Sequence, residues 1–101
     1  MPPRLAPADP VTFDGARAWT LHPQVSLRPE SFGALAYHFG TRRLSFLKSR
    51  MLLTVVESLA DQPTGRDACR VAGVAEEELA TYERALATLA ASGMICEREA
   101  S

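Results

Sequence analysis

Apolar side chains follow two different periods along this chain. Between Val25 and Leu47 they alternate with polar or small ones, and from Leu52 to Leu89 they recur every third and fourth position, so a sheet is expected to precede helices. Val25 and Leu27 point one way and Ser26 and Arg28 the other, which predicts a short strand over residues 25–28. After a turn carrying Pro29, Ser31 and Gly33, the run 34–39 sets Leu35, Tyr37 and Phe39 on one face, and the run 42–47 does the same for Leu44 and Phe46. Gly40-Thr41 joins these two strands, and a two-residue loop led by glycine suits a type II′ turn. It pairs Phe39 with Arg42, Tyr37 with Leu44 and Leu35 with Phe46. If those pairs exchange backbone bonds, Arg42, Leu44 and Phe46 bond inward while Arg43, Ser45 and Leu47 turn their N–H and C=O groups outward. The large apolar set is expected to be buried, with Ala36, His38, Arg43 and Ser45 on a solvated face.

The remainder reads as helix. Ser49 is a fitting N-cap for a first helix with Leu52, Val55, Val56 and Leu59 on one stripe, ending before Pro63. Thr64 caps a short second helix with Ala68, Val71 and Ala72 inward and Gly73 just past its end. A third helix is expected from about Glu76 to Ser92. At 100° per residue, Leu79, Leu86, Ala90 and Gly93 form its core stripe, Tyr82, Ala85 and Leu89 one flank, and Glu77, Arg84 and Thr88 the far side. The expected fold class is α+β and winged helix-turn-helix-like, a three-stranded antiparallel sheet followed by a three-helix bundle.

Composition narrows the picture. The 101 residues are 47% hydrophobic and 23% charged, enough for one core and no second domain. Residues 1–18 hold four of the seven prolines and few large apolar side chains, so they are expected to form a flexible tail, with the folded domain over 19–96 and a flexible C-terminus over 97–101. No run of ~18 uninterrupted apolar residues and no charged-then-apolar leader is present, which points to a cytoplasmic protein that neither spans a membrane nor is secreted. A formal net charge of -1 supplies no overall field to gather nucleic acid.

Candidate chemistry is sparse. His22 and His38 have no nucleophile or acid at a recurring catalytic spacing, the glycines are scattered, and Cys69 and Cys96 lack the company a zinc site needs. Neither catalytic residues nor a metal or cofactor site is expected. The helix-turn-helix order invites a DNA-binding regulator as the alternative, with the third helix in the major groove. Glu76, Glu77 and Glu78 oppose it, because they stand where such a helix must approach phosphates. Arg42, Arg43, Lys48 and Arg50 cluster on and after the third strand, either to blunt an edge against aggregation or to meet an acidic peptide. That strand has no proline, whereas the first is bracketed by Pro23 and Pro29, so the third strand can accept another. Beside it Tyr82, Ala85 and Leu89 would leave a shallow apolar groove fit for strand addition, or would serve merely as core periphery. Pairing of third strands in a weak homodimer would use the same surface.

The stretch LHPQVSLRPESFGALAYHFGTRRLSFLKS closely resembles the peptide chaperones of mycofactocin biosynthesis, a branch of the PqqD-like peptide-recognition domains that serve ribosomally made, modified peptides. The likeness covers Trp19 to about Met94, and FGALAYHFGTRRLSFLKS is its most distinctive part. It implies the same sheet-first fold and a non-enzymatic task. Such domains hold the leader of a short precursor as an added strand and deliver it to a radical S-adenosylmethionine maturase, whose cofactors belong to that enzyme and not to this chain. Carried over residue by residue, the implied peptide site is Arg42, Arg43, Leu44, Ser45, Phe46, Leu47 and Lys48 on the strand with Tyr82, Ala85 and Leu89 on the helix.

Overall fold

The computed structural model describes residues 13–98. The Pro-rich part of the expected tail, residues 1–12, and residues 99–101 lie outside the described residues. The chain runs β1 (Trp19–Leu21), β2 (Val25–Glu30), β3 (Gly33–His38), β4 (Leu44–Leu47), α1 (Arg50–Ser58), α2 (Gly65–Ala72), α3 (Leu79–Ala91) and β5 (Ile95–Glu97). Strands β2, β3 and β4 form an antiparallel sheet in that order, and three helices follow, as the alternation and the helical stripes predict. A second, two-stranded sheet of β1 and β5, with Trp19 opposite Glu97 and Leu21 opposite Ile95, is an addition. Three residues per strand are too few to show a period, and the pairing joins the two ends of the domain.

That closure also moves the domain boundary. Phe13 packs on Trp19 with ring centroids 4.9 Å apart, the Trp19 indole N–H donates to the Asp14 carbonyl at 2.9 Å, and Ala18 is buried. At the other end the Arg98 backbone N–H donates to Ala18 O, while its guanidinium donates to the carbonyls of Trp19 and Gln62. Phe13, Gly15, Ala18 and Arg98 thus pack against or bond to the domain from outside the expected 19–96 span. The indole offers enough surface to hold them, which a count of prolines does not register.

The β3–β4 pairing keeps the expected register, Tyr37 opposite Leu44 and Leu35 opposite Phe46, but not the expected turn. The loop has four residues, 39–42, closed by an Arg42 N–H bond to His38 O at 2.7 Å, and the His38 N–H donates to Arg43 O at 2.9 Å. Burial of the His38 ring explains it. Its Nδ1 accepts the N–H groups of both Gly40 and Thr41, a stronger organiser than the glycine-led turn. Arg42 then carries the positive φ, 63°, a conformation that costs a residue with a Cβ. Arg42→Gly is therefore expected to stabilise the fold by about 1 kcal/mol, read as a rise in the urea midpoint. The two-residue hairpin lies instead at Ser31-Phe32, with Glu30 opposite Gly33. A Cβ on Gly33 would lie 2.0 Å from Leu47 O, so β4 closes against bare backbone there.

The longer loop takes one more residue from each strand, which preserves the register and inverts the alternation of bonded and unbonded pairs. The His38–Arg43 pair is bonded, so Ala36–Ser45 and Ala34–Leu47 are bonded too. On the other side of β3 the Phe39 N–H donates to Gln24 O, which agrees with odd positions of β3 serving β2 and even ones serving β4. Arg43, Ser45 and Leu47 consequently bond inward. Leu44 and Phe46 present their backbone outward, the reverse of the expectation.

The faces are reversed as well. Ala34, Ala36, His38 and Leu47 are buried, while Phe39, Leu44 and Phe46 are about 60% exposed and Leu35 and Tyr37 half-buried. Small side chains on the inner face let α1 lie close on β3, with Leu52, Val55 and Val56 filling the space between. Large ones there would hold the helix off.

The helices keep their expected caps. Ser49 Oγ accepts the Leu52 N–H and Thr64 Oγ1 the Asp67 N–H, each at 3.0 Å, and Gly73 closes α2 with φ 103°. Helix α2 is turned from its expected orientation: Gly65, Ala68 and Cys69 are buried and Val71 is exposed. A close seat against Phe13 and Trp19 selects Gly65 for that face, since an added Cβ would lie 3.0 Å from the Phe13 ring. Residues 76–78 form a tight 3-10 turn before α3, whose Leu79, Leu86 and Ala90 are buried as expected. Leu89, assigned to the flank, is also core at 5% exposure.

Candidate peptide-binding groove

Strand β4 is the last strand of its sheet, and its outer side has no strand partner among the described residues. The backbone groups of Leu44 and Phe46 point to that open side, as the bonding parity requires. Next to this edge lie two contiguous depressions of about 350 and 270 Å³ that share Lys48, Leu52 and Ala85. The first is bounded by Ser45, Phe46, Thr88 and Leu89, the second by Ser49, Glu78, Thr81 and Tyr82. Together they make a groove running between β4 and α3, with Leu52 of α1 as its floor.

Six of the ten residues singled out in the sequence border this groove: Ser45, Phe46, Lys48, Tyr82, Ala85 and Leu89. Leu44 at the start of the strand and Arg42 and Arg43 just before it are exposed but outside the groove. Leu47 is sealed in the core at 1% exposure and can touch no ligand. Leu52 and Thr88 are groove residues that sequence reasoning missed. Leu52 carried only a core signal, and Thr88 was placed on the far side because a helical wheel knows one neighbour at a time. Ala85 is the residue that makes the groove, since a larger side chain midway between Tyr82 and Leu89 would fill it.

Charge along the strand edge is basic, with Glu78 the one acid among the described residues lining the groove beside it. Arg42, Arg43, Lys48 and Arg50 make no ion pair among the described residues, whereas Arg66 bonds Glu83 at 2.9 Å and Arg70 bonds Glu76 at 3.0 Å. Those hydrogen-bonded carboxylates raise the pKa of both guanidiniums above the ordinary arginine value. Glu77 and Glu78 remain exposed with Glu76 at the entry to α3, where a DNA-reading helix would meet phosphate. Burial pushes the Cys69 thiol up to about 11 and also raises Cys96, which disfavours the reactive thiolate at both. Among the described residues no three His, Cys, Asp or Glu side chains gather where a metal ion could sit, and no helix is long and apolar enough to cross a membrane.

Comparison with known proteins identifies the family. Residues 18–96 match the model of the Peptide chaperone MftB family. The chain is 57% identical to "Peptide chaperone MftB" of Mycobacterium ulcerans (strain Agy99) over 98 residues, 97% of this chain and 90% of that protein. It is 54% identical to the protein of the same name from Mycobacterium tuberculosis (strain ATCC 25618 / H37Rv), with the same coverage. A third, from Mycolicibacterium smegmatis (strain ATCC 700084 / mc(2)155), is 54% identical over 88 residues, 87% of this chain and 86% of its own length. No solved structure gives a significant match. All three relatives are named as chaperones and none as an enzyme, in keeping with the absence of a nucleophilic or acid-base constellation in the sequence. The match spans the whole sheet, the groove and all three helices, and the chain belongs to the MftB peptide chaperone family.

Proposed function

We propose that this chain is a non-enzymatic chaperone of mycofactocin biosynthesis, which holds the leader of a small ribosomal precursor peptide as an added strand on β4 and presents it to a radical S-adenosylmethionine maturase. One observation carries the proposal: an open strand edge lies directly beside an apolar groove against a helix. Backbone bonds to Leu44 and Phe46 supply sequence-independent affinity, and alternate leader side chains supply selection. One set enters the groove over Leu52, Ala85 and Leu89. The other set stands on the outer face beside Leu44 and Phe46. Arg42, Arg43 and Lys48 along the strand favour an acidic leader and speed its encounter at low salt. Holding the peptide raises its effective concentration at the enzyme, which brings the S-adenosylmethionine and iron-sulfur chemistry.

Proline at an outward position tests the strand addition. Leu44→Pro removes an N–H that the fold leaves unpaired, at the first residue of an edge strand where proline is tolerated. Circular dichroism is expected to show an intact fold, and calorimetric titration with the precursor peptide at least a tenfold loss of affinity, the scale of one orphaned backbone bond of about 1.4 kcal/mol or more. A folded Leu44→Pro chain that binds the precursor as tightly as the parent would refute docking at this edge.

A further inference from the structure

The outer face of the three-stranded sheet has no part in closing the domain. Among the described residues, four of the five large hydrophobic side chains left exposed lie on it: Phe32, Phe39, Leu44 and Phe46, with Val71 the exception. Tyr37 and Leu35 fill the space between them, and the rings pack edge to face, Tyr37 on Phe39 at 5.2 Å and Phe32 on Phe46 at 6.0 Å. An apolar surface this continuous is a liability unless something covers it. Its border is basic. Arg28 stands beside Leu35 in the ladder, Arg42 closes the loop after Phe39, and the only acid between Gln24 and Lys48 is Glu30, already paired with Arg28 at 3.1 Å.

We propose that this face docks a folded protein whose own surface is an apolar patch with an acidic rim, and that a bound leader strand forms part of the same surface. The charge of the rim selects the occupant. A second copy of this chain placed face to face would set Arg28 and Arg42 against themselves, and Glu30, the one acid on that border, is already held by Arg28. A single-stranded nucleic acid needs rings laid flat for stacking, whereas these rings occupy one another's edges, and the net charge of -1 supplies no field to draw it in. The peptide's share of the surface rests on the proposed strand addition. A strand added to β4 continues the rows in which Leu44 and Phe46 stand, so every second leader side chain extends the apolar face by one column. The docking partner would therefore read carrier and cargo together and bind the loaded chain more tightly than the empty one.

The double substitution Phe32→Ser and Phe39→Ser, made in the full chain, tests the surface without touching the groove, and Phe32→Ser alone serves if the pair impairs folding. The probe is the radical S-adenosylmethionine maturase of the proposed function, titrated by surface plasmon resonance with and without saturating precursor. For the parent, precursor is expected to tighten maturase binding at least threefold. For the variant, precursor affinity stays within twofold of the parent while maturase affinity falls at least tenfold. Unchanged maturase affinity in a folded variant overturns the proposal. So does parental binding to an oligothymidylate, to phosphatidylglycerol vesicles or to itself in sedimentation, if the variant abolishes it, because the face then belongs to that occupant. Failure of the strand addition reads differently: Leu44→Pro keeps its precursor affinity while the Phe32 and Phe39 substitutions still release the maturase.

Discussion

Trp19→Ala is expected to cost about 3–5 kcal/mol, enough to leave a domain of this size largely unfolded at 37 °C. The indole is fully buried and touches every part of the closure of the fold. It stacks on Phe13, donates to Asp14 O, lies against the bare Cα of Gly65, and sits in β1 opposite Glu97 of β5. Truncation leaves a cavity as large as any single substitution here can make, and it releases both ends of the domain at once. Urea denaturation followed by far-ultraviolet circular dichroism measures the loss. A midpoint shifted by less than the equivalent of 1 kcal/mol would show that β1 and β5 are peripheral to stability.

Ser45→Pro is expected to be far more damaging than proline one residue earlier on β4, at roughly 2–4 kcal/mol, although its side chain is small and only half-buried. The cause is backbone parity. Ser45 and Ala36 form a bonded pair, so proline at 45 deletes a ladder bond, leaves the Ala36 carbonyl without its donor, and pushes a ring toward β3. Leu44→Pro, one residue earlier, removes only an N–H that points away from the sheet, and is expected to cost less than about 1 kcal/mol. Thermal denaturation of the two variants side by side separates them. If Ser45→Pro proves the milder of the two, the bonding parity of β4 is opposite to that described and the docking edge is formed by Arg43, Ser45 and Leu47.

Those two neighbouring positions show how far the sequence could be read. The register of β3 and β4 was legible, because only one alignment sets Leu35 and Tyr37 opposite Phe46 and Leu44. The parity was not, since lengthening the loop by one residue on each side leaves the register untouched and exchanges bonded for unbonded pairs. What lengthened it was the buried imidazole of His38 accepting from Gly40 and Thr41, an environment no local pattern announces. The groove was half legible. Its strand and its helix could be named, but Leu52 beneath and Thr88 beside them come from packing three elements at once.

The sequence by itself determined what depends on neighbours along the chain: the order of elements, the hairpin register, the Ser49 and Thr64 caps, the Gly73 stop, and the Leu79–Leu86–Ala90 stripe. Membership of the family was equally a matter of residues in order. Tertiary structure decided which side of the sheet is inside. Period-two alternation divides β3 into Leu35 and Tyr37 on one face and Ala34, Ala36 and His38 on the other, and hydrophobicity alone assigns the larger set to the core. Helix α1 takes the smaller set because it must approach the sheet closely enough for Val55 and Val56 to fill the gap, and alanines permit that distance where leucine and tyrosine do not. The large side chains are thereby turned outward, and the face they form exists only because a helix packs on the other.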